Sequence, residues 1–189
     1  MSTRPTVFAP TDLVPLRDAI LSGEERYVDA AITALRDRSP GRSPERLAEF
    51  EADWRPEFRQ LVFGESLTGG VSGGAVEYLA AGLGIIKGDS LLTDWKLWAW
   101  FDYEAGVEEA IGEAAELLNY LCEGRPFPEK ADGTEGAYFA WLEAAEVKVL
   151  RAGLRAVDPA TLVDELTEFH AELCAALDQA TDGLLLFGW

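Results

Sequence analysis

Apolar residues recur at three- and four-residue intervals through most of this chain, and over long stretches that period describes amphipathic helices. The pattern is sharpest where a cap opens it. Ser43 followed by Pro44 makes an N-cap and first-turn pair, after which Leu47, Phe50 and Trp54 share one face. Asp158 and Pro159 repeat the device ahead of Leu162, Leu166, Phe169, Leu173 and Leu177. Ser22 and Glu25 read as a capping box for a helix that turns Tyr27, Val28, Ala31, Ile32 and Leu35 inward. Thr11 or Asp12 opens a shorter helix through Leu13, Leu16 and Ile20, where Pro15 is tolerated because it falls in the first turn. The Ser43 helix is expected to restart at Pro56, carry Phe58, Leu61 and Val62, and stop at Gly64. Further helices are expected through Val76, Leu79 and Leu83, over 104–121, and over about 139–156.

Strand character is confined to the ends. Arg4 to Ala9 reads as a short strand bounded by Pro10, and Asp182-Gly183 turns the chain into Leu184 to Phe187. A two-stranded ribbon is marginal alone, so the two are expected to pair and to pack on the helices. The fold class is α+β, mainly α, with about seven helices and a small sheet formed by the N- and C-terminal strands. Its 189 residues are expected to form a single acidic globular domain, 1–189, with a flexible glycine-rich loop at 64–74. A chain of that size buries about 70% of its unfolded surface, enough for a core without metal or disulfide support.

The charge is uneven. Sixteen Lys and Arg against 34 Asp and Glu give a net −18. Residues 1–63 hold nine basic and eleven acidic side chains, whereas 64–189 hold seven and 23. Such a field repels nucleic acid and anionic lipid and attracts cationic partners; a merely solvated surface is the competing reading. No apolar run approaches the roughly 18 residues of a membrane span. Two cysteines, Cys122 and Cys174, make no disulfide framework, and the opening residues have no apolar signal segment. A reduced, cytoplasmic protein is expected.

Gly88-Asp89-Ser90-Leu91 spells the nucleophile block of the GDSL-type esterases and lipases. Those enzymes supply a base from an Asp-x-x-His block. Here the sole histidine is His170, and Thr167 stands three residues before it. A serine without a positioned base is a weak nucleophile, so no catalytic residue is assigned. The glycine-rich stretch lacks the Gly-Lys-Ser/Thr ending of a phosphate loop. One histidine excludes most zinc and di-iron patterns, and the glutamates from Glu104 to Glu116 describe a solvated helix face. No cofactor and no metal are expected. The most unusual segment is Trp95-Lys96-Leu97-Trp98-Ala99-Trp100-Phe101-Asp102-Tyr103. Trp95 and Trp98 lie three apart and would share a core-facing helical face, with Trp100 pointing elsewhere. Tryptophan and tyrosine are also favoured anchors of binding surfaces, so a binding role stays open beside the core role. The candidate partner-binding residues are Trp95, Trp98, Asp102, Tyr103, Glu104, Glu108, Glu109 and Glu113.

Pro126-Phe127-Pro128, Asp132, Gly136, Tyr138 and the run Glu143 to Val147 resemble a group of actinobacterial domains of unknown function. So do the ending, Leu173 to Leu177 and Gly183 to Phe187, and the opening, Leu16, Ile20 and Leu21-Ser22-Gly23-Glu24. The group is distantly similar to the YfbM-type proteins. The resemblance implies an α+β fold and carries over no activity and no site residue. Two functional readings stand at this point. One is a non-catalytic interaction module that binds a basic protein partner, an immunity protein neutralising a basic nuclease-type toxin being the concrete form. The other is a small-molecule-binding protein or enzyme whose pocket a sequence does not reveal. Nucleic acid and membrane are not expected partners, and the oligomeric state is left open.

Overall fold

The computed structural model describes residues 4–10, 12–65, 70–86, 88–134 and 137–188, apart from the side chains of 131–133. Its chain divides into two compact units. One comprises Met1–Thr11, Gly88–Arg125 and Phe139–Trp189; the other comprises Asp12–Lys87 and Pro126–Tyr138. Both are assembled from segments distant in sequence, and the length-based expectation of one domain carried no sign of that division.

The second unit is helical. It holds α1 (Val14–Ala19), α2 (Glu25–Asp37), α3 (Pro44–Phe63), α4 (Gly73–Gly82) and a 3-10 segment at Pro128–Thr134. Its core is built from the expected stripes: Leu16, Ile20, Val28, Ala31, Ile32, Leu35, Phe58, Leu61 and Val62 are all at least 98% buried. Gly82 brings α4 against α2 so closely that a Cβ there would lie 2.2 Å from the Ala30 carbonyl oxygen. Three local expectations change. The capping box does not form: Leu21 and Gly23 take left-handed backbone (φ 56° and 72°), which delays α2 until Glu24 serves as its N-cap. Ser22 Oγ accepts only from the Glu24 N–H, at 3.2 Å. Pro56 does not restart α3; the helix runs through it. Pro56 and Ala52, four residues before it, are both exposed, so the carbonyl left without a partner can bond to water. Ser43 caps α3 and Gly64, at φ 70°, ends it, as expected. Residues 66–69 of the glycine-rich loop lie outside the described residues. Its end is helix, because Ser72 caps α4 and is fixed by the Glu57 carboxylate, which accepts from its N–H at 2.9 Å and its Oγ–H at 2.6 Å.

The first unit contains the sheet. Strands β1 (Pro5–Phe8), β2 (Phe139–Glu143) and β3 (Gly183–Gly188) form an antiparallel sheet in the order β1-β3-β2. The terminal strands pair as expected, with Thr6 opposite Phe187 and Phe8 opposite Leu185. β3 is the central strand, and all six of its residues are buried. β2 replaces the first turn of the helix expected over 139–156. Phe139 to Leu142 are buried on both faces of the sheet, and a strand covered on both faces shows no alternation to read. Helices α5 (Leu97–Ile111), α6 (Ala115–Glu123), α7 (Ala144–Leu154) and α8 (Asp164–Gln179) complete this unit, giving eight α-helices among the described residues. The helix expected over 104–121 is two, because Gly112 leaves helical geometry at φ 55°, ψ −123°. α5 also begins seven residues earlier, at Leu97, and takes in most of the tryptophan-rich segment. Asp158 caps only a 3-10 turn at Pro159–Thr161, its Oδ1 accepting from the Ala160 N–H at 3.0 Å. α8 starts at Asp164, beyond that turn.

Candidate functional site

The tryptophan segment enters α5 with Trp95 just before the helix and Lys96 at its N-cap position. Burial separates its indoles. Trp100 is fully buried and meets Phe169 of α8 edge-on, with ring centroids 4.9 Å apart. Trp98 is 44% exposed. Trp95 is half-buried and also edge-on to Phe169, at 5.1 Å, while its Nε1–H donates to Glu172 Oε2 at 2.5 Å. The expected arrangement is thus reversed. Trp100 is the core wedge, because the helix starts after Trp95 and its buried face falls on Ala99, Trp100 and Tyr103.

Trp95 and Trp98 open onto a cleft of about 600 Å³ between the 90–99 segment and α8. Asp94, Lys96, Glu165, Glu168, Glu172 and Ser90 also line it. The three glutamates stand at intervals of three and four residues, so one face of α8 presents them together. All three are exposed, and apart from Glu172 Oε2, which accepts from Trp95, no hydrogen bond or ion pair among the described residues engages their oxygens. Asp94 pairs with Arg4 at 3.7 Å across exposed surface, a geometry of small energetic weight. Ser90 borders the cleft without His170, whose ring is turned into the protein. His170 therefore does not serve Ser90 as a base.

His170 belongs to a second cluster. Its Nδ1 lies 2.5 Å from Tyr103 Oη, and its Nε2 lies 3.7 Å from Cys174 Sγ, one helical turn along α8. Nucleophile, imidazole and hydroxyl in a row invite comparison with a cysteine triad, but the chemistry runs the other way. Burial holds His170 below its ordinary pKa and therefore neutral. Burial also pushes the Tyr103 phenol far up, so the hydroxyl keeps its proton. Donation from Tyr103 O–H to Nδ1 satisfies both groups and places the imidazole proton on Nε2, facing sulfur. The imidazole is then no base toward the thiol, and burial together with Asp178 raises the thiol's own pKa. The cluster is structural.

The remaining candidate residues separate by burial. Tyr103 is fully buried and is corrected from partner anchor to core residue. Glu104 is half-buried beside Cys122, with its pKa raised by burial, and is not an open surface charge. Asp102, Glu108, Glu109 and Glu113 are exposed on α5 and the turn after it, outside the cleft. Sequence reasoning passed over Asp94, Glu165, Glu168 and Glu172. The signal was present, since acids at 165, 168 and 172 oppose the apolar stripe Leu166, Phe169 and Leu173.

Among the described residues no three His, Cys, Asp or Glu side chains converge as metal ligands, and no helix is long and apolar enough to cross a membrane. Comparison with family models, with curated proteins and with solved structures finds no match.

Proposed function

We propose that the sheet-containing unit is a non-catalytic binding module for a basic protein partner. The observation that carries this reading is the meeting of two tryptophans with three exposed glutamates that no ion pair engages among the described residues, in one open cleft. The surrounding charge supports it: this unit holds eighteen Asp and Glu against six Lys and Arg. Aromatic faces attract cations through their quadrupole, and carboxylates add charge-assisted hydrogen bonds. The exposed acids of α5 extend the negative field beyond the cleft and would steer a basic surface toward it. A toxin-neutralising immunity protein blocking a basic nuclease-type enzyme is one protein with these needs. The nucleophile candidates do not favour an enzyme, because His170 lies outside the cleft that Ser90 borders and burial raises the Cys174 thiol pKa.

The test is a titration of the full chain with an arginine- and lysine-rich peptide and with an acidic peptide of equal length, across a salt series. Saturable binding of the basic peptide alone, weakening as salt rises, is the expected result. Equal binding of both peptides, or an affinity indifferent to salt, would sink the reading.

A further inference from the structure

We infer that the cleft is an anchor site for a single arginine side chain of that partner, held against Trp98 and Trp95 with its guanidinium on Glu168 and Glu172. This deepens the preceding proposal and rests on it.

The molecule contains a worked instance of the same recognition. Arg125 lies 4.0 Å from the ring centroid of Trp141 and 4.4 Å from that of Tyr120, and its Nη1 donates to Glu146 at 2.8 Å. The Trp141 carbonyl oxygen accepts from the same Nη1 at 3.3 Å, so two aromatic rings, one carboxylate and one backbone carbonyl hold this guanidinium. The cleft offers the aromatic and acidic parts of that set: two indoles and a row of carboxylates. Trp95 is already oriented, since Glu172 holds its Nε1–H and Phe169 meets its ring, so little order is lost when a ligand binds. None of the unit's four arginines pairs with Glu165, Glu168 or Glu172 of the cleft. Arg4 pairs with Asp94 at the rim, Arg125 with Glu146, and Arg151 and Arg155 both with Asp178. No ion pair among the described residues engages Glu165, Glu168 or Glu172, which leaves them open to a guanidinium of another molecule.

Arginine fits better than lysine. A guanidinium is planar, stacks on aromatic faces and presents a fork of donors to carboxylates, whereas an ammonium is a compact, strongly hydrated charge. Lys96 lines the same cleft and opposes any incoming cation. That opposition gives the proposal a test in two directions.

The probe is N-acetyl-arginine methylamide, set against the citrulline analogue, which has the same shape without the charge, and against the lysine analogue. The reporter is the Trp95 indole N–H resonance of the full chain, because that proton sits in the bond to Glu172. Saturable shifts with the arginine probe are expected, with binding at least about tenfold weaker for citrulline. Trp98→Ala and Glu168→Gln, both at exposed side chains, should each weaken arginine binding about two- to fivefold, the effect of losing one exposed cation–π or charge contact. Lys96→Gln should tighten it by a similar small factor. Citrulline binding as well as arginine, or Trp98→Ala and Glu168→Gln binding like wild type, overturns the anchor site. So does a Lys96→Gln variant that binds more weakly. If the basic peptide still binds in a salt-dependent way while the arginine probe does not, the anchor fails and the broader module survives; if neither binds, both fail.

Discussion

The hydrogen bond between Tyr103 Oη and His170 Nδ1 is buried, and among the described residues those two atoms satisfy each other. Tyr103→Phe deletes the donor and leaves Nδ1 buried and unpaired, at a cost of about 1–3 kcal/mol in unfolding free energy. His170→Gln retains a side-chain acceptor and should cost less. The same histidine sets a pH dependence. Its folded pKa lies below the ordinary 6.5, so in the interval between the two the unfolded chain binds the proton and the folded chain does not. Stability is therefore unaffected above that interval and falls as pH drops from about 6.5 toward the folded pKa. Carboxylates contribute in a lower window: hydrogen bonds from Arg36 and Arg59 hold Glu51 and Glu65 below 4.5. Burial raises Glu104, which acts in the opposite sense above 4.5. Only the difference between wild type and His170→Gln isolates the histidine, and that difference should shrink as pH falls from 6.5. Denaturant melts across pH check it. Because His170 is the sole histidine, its proton NMR titration gives the folded pKa directly; a value above 6.5 would contradict the burial argument.

At the scale of elements, two glycines inside helices mark backbone approach. A Cβ on Gly153 of α7 would lie 2.8 Å from the Ala114 Cβ and 3.3 Å from the Ile111 Cβ. Alanine favours an exposed helix interior by roughly 1 kcal/mol over glycine, yet Gly153→Ala should destabilise, because overpacking costs about 1–3 kcal/mol. Gly82→Ala should cost more, since its obstacle is the Ala30 backbone rather than a side chain. Chemical denaturation ranks the two, and a stabilising Gly82→Ala would refute the close approach of α2 and α4. Neither glycine could be singled out from sequence, because the constraint lies on a neighbouring helix. The helix stripes were legible, as were the Ser43 cap, the Gly64 stop and the pairing of the terminal strands, since each depends on local chemistry or on burying one apolar face. Elements that depend on a neighbour were hidden: β2 has no alternation because both its faces are covered, and α5 continues its apolar spacing up to a glycine whose backbone alone breaks it. The cleft was half legible. Its aromatic wall stood out in the sequence, whereas its acidic wall lies some seventy residues away on α8.

At the scale of the whole molecule, charge is the dominant field. A net −18 is destabilising through self-repulsion, and exposed charges are screened over about 10 Å at 0.1 M salt. Moderate salt should therefore raise the melting temperature while it weakens association with a basic partner. Reversing Glu108, Glu109 and Glu113 to Lys separates the two consequences. These side chains are exposed and outside the cleft, and no ion pair engages them among the described residues. Glu108 and Glu109 also sit in the last turn of α5, where a cation complements the helix dipole and an anion does not. The triple reversal should raise the melting temperature at low salt, and the gain should fade as salt rises. Against a basic peptide it should slow association more than it speeds dissociation, because exposed charges outside the contact act on the encounter. Trp98→Ala should show the opposite kinetic signature, a faster dissociation at nearly unchanged association rate, because an anchor acts only once the complex has formed. Stopped-flow rates for the two variants at low and high salt decide the matter. If both variants altered only dissociation, steering by the acidic surface would be refuted and the cleft alone would carry the interaction.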